Sequence, residues 1–435
     1  MKMGGLHTFI PALFRGRKVI AEISTSMANV SLASNSSRED IFDQANRSVI
    51  RVVELLIERA HAARASDIHL DPRTNDVSMR YRIDGVLQDA YTVPISIHAE
   101  IISRIKILSG LRIDEHFSAQ DGRFRLLVPG SLSIDVRVSV VPTYYGENAV
   151  LRLLSETAEE FSLSNLGFTS HNREIIMCAL KRPYGMILAT GPTGSGKTTS
   201  MYTLVKILND RSVSIVTLED PIEYSIAGIR QIQINPKTGL TFGSGLRSIL
   251  RQDPNIIMVG EIRDEETAGL AVNTALTGHR LLSTLHTNDA ATSIARLLDM
   301  GVEPYLIAST VSVIIGQRLV RRLCERCKET HPLSDAEIKS LSTLISLESL
   351  DANPGFFKAK GCDKCSGTGF YGRAGIHEVM EVNADVRSAI LEKLPANKLQ
   401  SVAVSTGMVP LATDGFRKAA RGITSIEEIL RIRYE

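Results

Sequence analysis

The chain has 435 residues, with 50 Lys plus Arg against 48 Asp plus Glu, a formal charge of +2 and 43% hydrophobic residues. That length exceeds what one hydrophobic core serves, so two or three domains are expected, and the composition excludes a largely disordered chain. The near-neutral balance, an aromatic content of 5% and the lack of Trp argue against a protein built to coat or stack on nucleic acid.

Residues 1–45 include "LHTFIPALF" (6–14), an apolar piece interrupted by His7 and Pro11 and followed by Arg15, Arg17 and Lys18 instead of a small-residue cleavage site. The Ser/Asn-rich "SLASNSSRED" (31–40) has little periodicity, so a loosely ordered N-terminal segment is expected. From 41 to 66, "IFDQANRSVIRVVELLIERAHAARAS" places apolar residues at helical spacing, with Ser66 and Asp67 as the stop. "DIHLDP", "VSMRYRIDG" and "SIDVRVSVVP" are strand-like, and the helical "IHAEIISRIKILSGL" lies among them. A mixed α+β domain over 46–155 follows, then a polar linker over 156–170.

Over 171–321 the pattern changes to short apolar runs, "GMILATG", "VSIVTLED", "NIIMVGE" and "RLLSTLHT", separated by helical stretches. Buried parallel strands of an α/β sheet read this way. The longest candidate for a membrane span, "LIASTVSVIIGQ" (306–317), falls short of the roughly 20 apolar residues required, and a cytoplasmic location is expected. A tetracysteine unit over 322–380 and a helical end over 381–435 complete the chain.

"ATGPTGSGKTTS" (189–200) carries the chemistry most plainly. Gly191, Gly196, Lys197 and Thr198 fit G-x-x-x-x-G-K-[ST], with a strand-like run before and a helix-like run after. In such a loop the backbone from Gly191 through Pro192, Thr193, Gly194, Ser195 and Gly196 to Thr199 wraps ATP phosphates with N–H donors. The helix N-terminus adds its positive end, Lys197 reaches the β and γ phosphates, and Thr198 ligates Mg²⁺. Hydrolysis also needs carboxylates at neighbouring strand ends. Glu261 closes "NIIMVGE", where a Mg²⁺ partner would offset the cost of a buried charge. "LEDPIEY" offers Glu219, Asp220 and Glu223, any of which suits orienting and deprotonating a water, although Asp220 before Pro221 equally suits a strand end. Asp264 suits a helix cap. His279 and His286 bracket a further strand, and their place beside the carboxylates favours a role near the γ phosphate over a structural one.

Taken together, the phosphate loop, "LEDPIEY", "MVGEIRD" and "TGHRLLSTLHTND" resemble, in order and spacing, the motifs of the secretion ATPase superfamily that drives type II secretion and type IV pilus assembly. The likeness runs over about 46 to 435. It implies a RecA-like core with a smaller, PAS-like α+β domain before it, Glu261 in the Mg²⁺-organising position, Glu223 as general base, and His279 and His286 as nucleotide-sensing residues. "QDGRF" and "DVRVSVVPTYYGENAVLRLL" resemble the domain whose arginines close on the phosphates, which singles out Arg123, Arg137, Arg152 and Arg104. By the same likeness the chain would form a homohexamer at the cytoplasmic face of the inner membrane. It would act on a polytopic platform protein and associated secretion or pilus proteins, reaching the membrane only through them. A nucleic-acid-translocating motor and a low-turnover ATP-binding regulator are the alternative readings.

Cys324/Cys327 and Cys362/Cys365 form C-x2-C…C-x2-C with 34 residues between the pairs. Four thiolates suit a tetrahedral, structural Zn²⁺, and the long gap requires an insertion, "SDAEIKSLSTLISLESLD". This module resembles the assembly and secretion branch of the superfamily, although 45 loosely patterned residues are not expected to build the larger N-terminal docking domain usual in type II members. Cys178, in an apolar helical stretch, is expected to be core.

Overall fold

The computed structural model describes residues 41, 48–127, 133–155, 162–342 and 355–434. The expectation of a loosely ordered N-terminal segment falls almost wholly outside the described residues, as does the start of the linker.

The first lobe opens with helix α1 (Val49–Ala62), whose Val52, Val53, Leu56, Ile57 and Ala60 are buried. The helix was expected to run to Ser66. It stops earlier because Arg64 takes a left-handed φ of 58°, which no α-helix accommodates. Strands β1 (Ala65–Pro72), β2 (Asp76–Ile83) and β3 (Val86–Pro94) follow, then α2 (His98–Leu108), β4 (Gln120–Leu126), β5 (Ile134–Thr143) and β6 (Gly146–Ser155). They form a six-stranded antiparallel sheet in the order β3-β2-β1-β6-β5-β4. Alternation sends Ile68, Leu70, Val136, Val138, Val140 and Leu151 toward the two helices. The opposite face carries Arg123, Arg137 and Arg152 in cross-strand register, and Arg152 is in turn opposite Asp67.

The second lobe is built on a seven-stranded sheet ordered β15-β12-β7-β11-β10-β8-β9. Its elements in chain order are α3 (Ser170–Lys181), β7 (Gly185–Thr190), α4 (Lys197–Leu208), β8 (Ile215–Glu219), β9 (Arg230–Gln233) and α5 (Phe242–Ile249). There follow β10 (Ile256–Val259), α6 (Glu265–Leu276), β11 (Arg280–Leu285), α7 (Ala290–Asp299), α8 (Pro304–Thr310) and β12 (Val311–Leu323). After the cysteine module, which contains β13 (Glu329–Thr330), α9 (Asp335–Ser342) and β14 (Phe357–Lys358), the chain returns as β15 (Phe370–Glu381), antiparallel to β12. Four closing helices complete the chain, α10 (Ala384–Leu391), α11 (Ala396–Ser405), α12 (Leu411–Ala420) and α13 (Ile426–Tyr434).

Strands β7, β8, β10 and β11 are parallel and buried on both faces, as their uninterrupted apolar runs imply. Alternate residues feed two cores, Met186, Leu188, Val216 and Ile257 on one side and Ile187, Ala189, Ile215 and Met258 on the other. The run "LIASTVSVIIGQ" is divided between α8 and β12, and among the described residues no helix is long and apolar enough to cross a membrane. Cys178 is exposed, contrary to expectation. On α3 the buried positions are Asn172, Ile176, Ala179 and Leu180, and a residue two beyond Ile176 is turned about 200° away from it.

Among the described residues the lobes touch at two places. At one, Arg137 of β5 reaches Glu223, four residues beyond the end of β8. At the cysteine module the Arg64 guanidinium lies 3.5 Å above the Tyr371 ring, and Gly372 N–H donates to Asp84 Oδ2 at 2.9 Å. Each buried Leu or Ile within a lobe contributes about 1.5–3 kcal/mol, whereas such polar contacts contribute about 1 kcal/mol or less. Relative motion of the lobes therefore breaks these contacts first and leaves the lobes whole.

Candidate active site

The phosphate loop sits between β7, buried at every position, and α4. Gly191 and Gly196 have φ of 145° and 88°. A Cβ at Gly191 would strike the Gln317 carbonyl, and one at Gly196 would lie 2.7 Å from the Gln317 amide nitrogen, so only glycine fits either place. Gln317, buried on β12, donates to Ser195 O at 2.8 Å and accepts from Ser200 Oγ at 2.7 Å, bracing the loop from behind. Lys197 Nζ folds back to Gly191 O at 2.7 Å and Pro192 O at 3.1 Å. Burial brings this ammonium down to about 8, with Glu261 opposing the shift. Thr193, Gly194 and Thr198 are exposed, while Pro192 and Thr199 are half-buried.

Parallel register puts the neighbouring strand ends on the same edge. Leu218 pairs with Val259, Val259 with Ser283, and Leu285 with Thr190, so the residues that follow each strand emerge beside the loop. Glu261, two residues past β10, is nearly buried. Its Oε1 lies 2.6 Å from Arg263 Nη2, and its Oε2 lies 3.2 Å from His286 Nε2. Burial, then the nearby Lys197 charge, lowers the His286 imidazole below its usual value, so it is neutral near pH 7. A cavity of about 550 Å³ opens beside Glu261, Arg263, His286 and Arg296. Asp264 caps α6, its Oδ1 accepting from Thr267 N–H at 2.8 Å. His279 is not in this cluster. It precedes β11 at the opposite edge of the sheet, near Thr274 O at 3.2 Å, and the strand's rise puts it ~20 Å from His286.

The three acidic residues of "LEDPIEY" diverge. Glu219 is buried and receives the Tyr202 hydroxyl, Thr217 Oγ1 and Gln231 Nε2, so its oxygens are satisfied within the protein. Asp220 is exposed and raises Arg263 through its charge, behind the larger effect of Glu261. Glu223 faces the first lobe: Arg137 Nη1 lies 3.1 Å from Glu223 Oε2, and Arg137 Nη2 donates to Ile222 O at 2.5 Å. Arg152 pairs with Asp67 at 3.0 Å, Arg123 is exposed on β4, and Arg104 sits on α2, behind the sheet from the arginine row.

In the cysteine module the four Sγ atoms lie within 4.8 Å of one another. The closest pairs are Cys324–Cys362 and Cys327–Cys365 at 3.8 Å and Cys362–Cys365 at 3.7 Å. Disulfides require about 2.05 Å, whereas the edge of a tetrahedron with ~2.3 Å metal–sulfur bonds is ~3.8 Å. Two backbone donors, Cys362 N–H and Gly369 N–H, each reach Cys365 Sγ at 3.1 Å. The cluster fits zinc.

Gln317, Tyr202 and Arg263 were not singled out in the sequence. Only Gln317 left a signal, an amide directly after the largely apolar run "VSVIIG".

A mostly parallel sheet with a phosphate loop, a strand-end glutamate and a histidine on one edge defines a phosphate-loop ATPase with a RecA-like core, here joined to a smaller α+β lobe. Residues 43–431 match the family described as Type II/IV secretion system protein, and the chain belongs to it. It is 44% identical over 420 residues to the type II secretion system protein E of Xanthomonas campestris pv. campestris, covering 96% of this chain and 73% of that one. With the type IV pilus assembly ATPase PilB of Thermus thermophilus it shares 43% identity over 96% of this chain, but spans only 46% of the relative. The fold is similar to that of the pilus retraction motor PilT with bound ADP, at a TM-score of 0.57 and 25% identity over 87% of this chain and 96% of that one. It is also similar to that of the ATPase DotB of Legionella pneumophila, at a TM-score of 0.63 and 22% identity over 88% and 95%.

Proposed function

We propose that the chain is a Mg²⁺-dependent ATPase that converts ATP and water to ADP and phosphate, and that it works as a homohexameric motor for a type II secretion pseudopilus or a type IV pilus. The phosphate loop from Gly191 to Thr199 holds the triphosphate. Lys197 leaves the Gly191 and Pro192 carbonyls for the β and γ oxygens. Thr198 and Glu261 hold Mg²⁺, which screens phosphate charge, and His286 reports on the γ position through Glu261. Glu223 takes the proton of the attacking water once Arg137 moves from it toward the phosphates. Arg123 and Arg152 lie in the same row for the same use. Cys324, Cys327, Cys362 and Cys365 hold a structural Zn²⁺. The motor acts at the cytoplasmic face of the inner membrane on a polytopic platform protein.

One observation carries this reading: Glu261 and His286 stand 3.2 Å apart on the strand edge that also presents Lys197. The test is hydrolysis by the purified chain with Mg²⁺ and by Glu261→Gln. The variant should still bind ATP while turnover falls by ~100-fold, and an integral membrane protein should co-purify with this trapped form. Equal turnover in both proteins would refute the assignment of Glu261, and negligible turnover in both would refute the motor.

A further inference from the structure

Tyr202 is on α4, five residues beyond Lys197, and its side chain is wholly buried. Its ring meets Tyr224 edge to face at a centroid distance of 4.7 Å. Packing alone would be served equally by phenylalanine, because a buried hydroxyl costs free energy unless its bonds are made. Here both are made. The hydroxyl donates to Glu219 Oε2 and accepts from the Glu223 backbone N–H at 3.2 Å. Burial, reinforced by Glu219, pushes this phenol far above its usual range, so it remains a donor at every working pH. Glu219 is itself fixed by Thr217 Oγ1 and by Gln231 Nε2 at 3.1 Å, and therefore anchors the hydroxyl.

The segment Ile222–Glu223 is thereby held from two sides. Tyr202 holds the amide of Glu223 from the helix that begins at the phosphate loop. Arg137 holds its carboxylate and the Ile222 carbonyl from the other lobe.

We propose that the Tyr202 hydroxyl is a positioning group that sets Glu223 relative to the phosphate loop, linking α4 to the residue that Arg137 engages. This rests on the reading of Glu223 as the residue that activates water.

The test compares four variants of the full chain in single-turnover hydrolysis at saturating ATP, with nucleotide affinity measured separately by a fluorescent, non-hydrolysable ATP analogue. Tyr202→Phe keeps the ring and removes the oxygen. It should lower the rate by ~10-fold or more while affinity changes by less than ~3-fold, the signature of lost orientation rather than lost binding. Thr217→Val removes a different donor to the same Glu219 carboxylate and should keep the rate within ~2-fold at a lower melting temperature. Combining Tyr202→Phe with Glu223→Gln should cost no more than Glu223→Gln alone.

Equal rate losses in Tyr202→Phe and Thr217→Val would overturn the proposal, since Tyr202 would then act only through the stability of Glu219. A wild-type rate in Tyr202→Phe would overturn it while leaving Glu223 as the base. A wild-type rate in Glu223→Gln would instead refute the base assignment, and this proposal with it, without touching the ATPase reading.

Discussion

Arg137 and Glu223 are joined across the two lobes, guanidinium nitrogen to carboxylate oxygen at 3.1 Å. The first sheet thereby holds the segment that follows the edge of the second. In this posture the carboxylate cannot serve a water freely, because its charge is compensated by the arginine. Both side chains are partly exposed, so the pair contributes about 0–1 kcal/mol to stability, too little to explain any large loss of turnover. Arg137→Ala is therefore expected to unfold within a few degrees of the parent and to lose ~10-fold or more in single-turnover hydrolysis. Thermal unfolding and rate are measured on the same preparation, and an unchanged rate would remove Arg137 from the mechanism.

Much of the candidate site's edge was legible because the residues are local in sequence. The loop from Gly191 to Thr198 and the strand ending before Glu261 each carry strand, turn and chemistry within a dozen residues. The cysteine pairs likewise declare their chemistry by spacing. What sequence could not supply were relations across long separations. Gln317 reaches the phosphate loop from β12, and Arg137 reaches Glu223 from another sheet. His279 misled because spacing says nothing of strand direction. Both histidines flank the same strand, but parallel topology sends only His286 to the edge that carries the phosphate loop. Cys178 misled for a simpler reason, since an apolar helix still has an outer face.

Lys197 predicts opposite pH effects on binding and folding. Burial holds it at about 8 in the empty loop, and nucleotide phosphates favour its charged form. ATP affinity from this group is therefore full below about pH 8 and declines as pH rises through it. Near pH 8.5 binding should take up roughly three-quarters of a proton at this site. For folding the sign reverses. The depressed value means that the unfolded chain binds more protons between about 8 and 10.5, so the empty protein gains stability from this group as pH climbs through that window. Calorimetry in buffers of different ionisation enthalpy reads the uptake, and zero net uptake at pH 8.5 would contradict it.

The cysteine cluster predicts one zinc per chain, released by thiol-reactive mercurials and quantified with a chromogenic chelator. Cys365→Ser leaves three thiolates and should abolish stoichiometric zinc. Because β12 and β15 pair along ten positions, the seven-stranded sheet should survive. Hydrogen exchange should therefore accelerate around residues 324–329 and 362–369 while β7, β10 and β11 remain protected. A Cys365→Ser protein with the same metal content and the same exchange pattern as the parent would refute a structural zinc site.

The second contact between the lobes gives the last prediction. Arg64 lies 3.5 Å over Tyr371, Lys364 lies 5.2 Å from the same ring, and Asp84 accepts from Gly372 N–H at 2.9 Å. Arg64 and Asp84 both have left-handed backbones, with φ of 58° and 51°, a conformation that costs non-glycine residues about 1 kcal/mol or more. Arg64→Gly removes both that cost and the stacked cation, which contributes about 0.5–1 kcal/mol at an exposed site, so the two effects nearly cancel in the melting temperature. Tyr371→Ala loses the stack with no compensating relief. Distances between spin labels, one placed on each lobe, should broaden in both variants, while only Tyr371→Ala should melt measurably lower. The same narrow distance distribution in parent and variants would show that the Arg137–Glu223 contact alone sets the posture of the lobes.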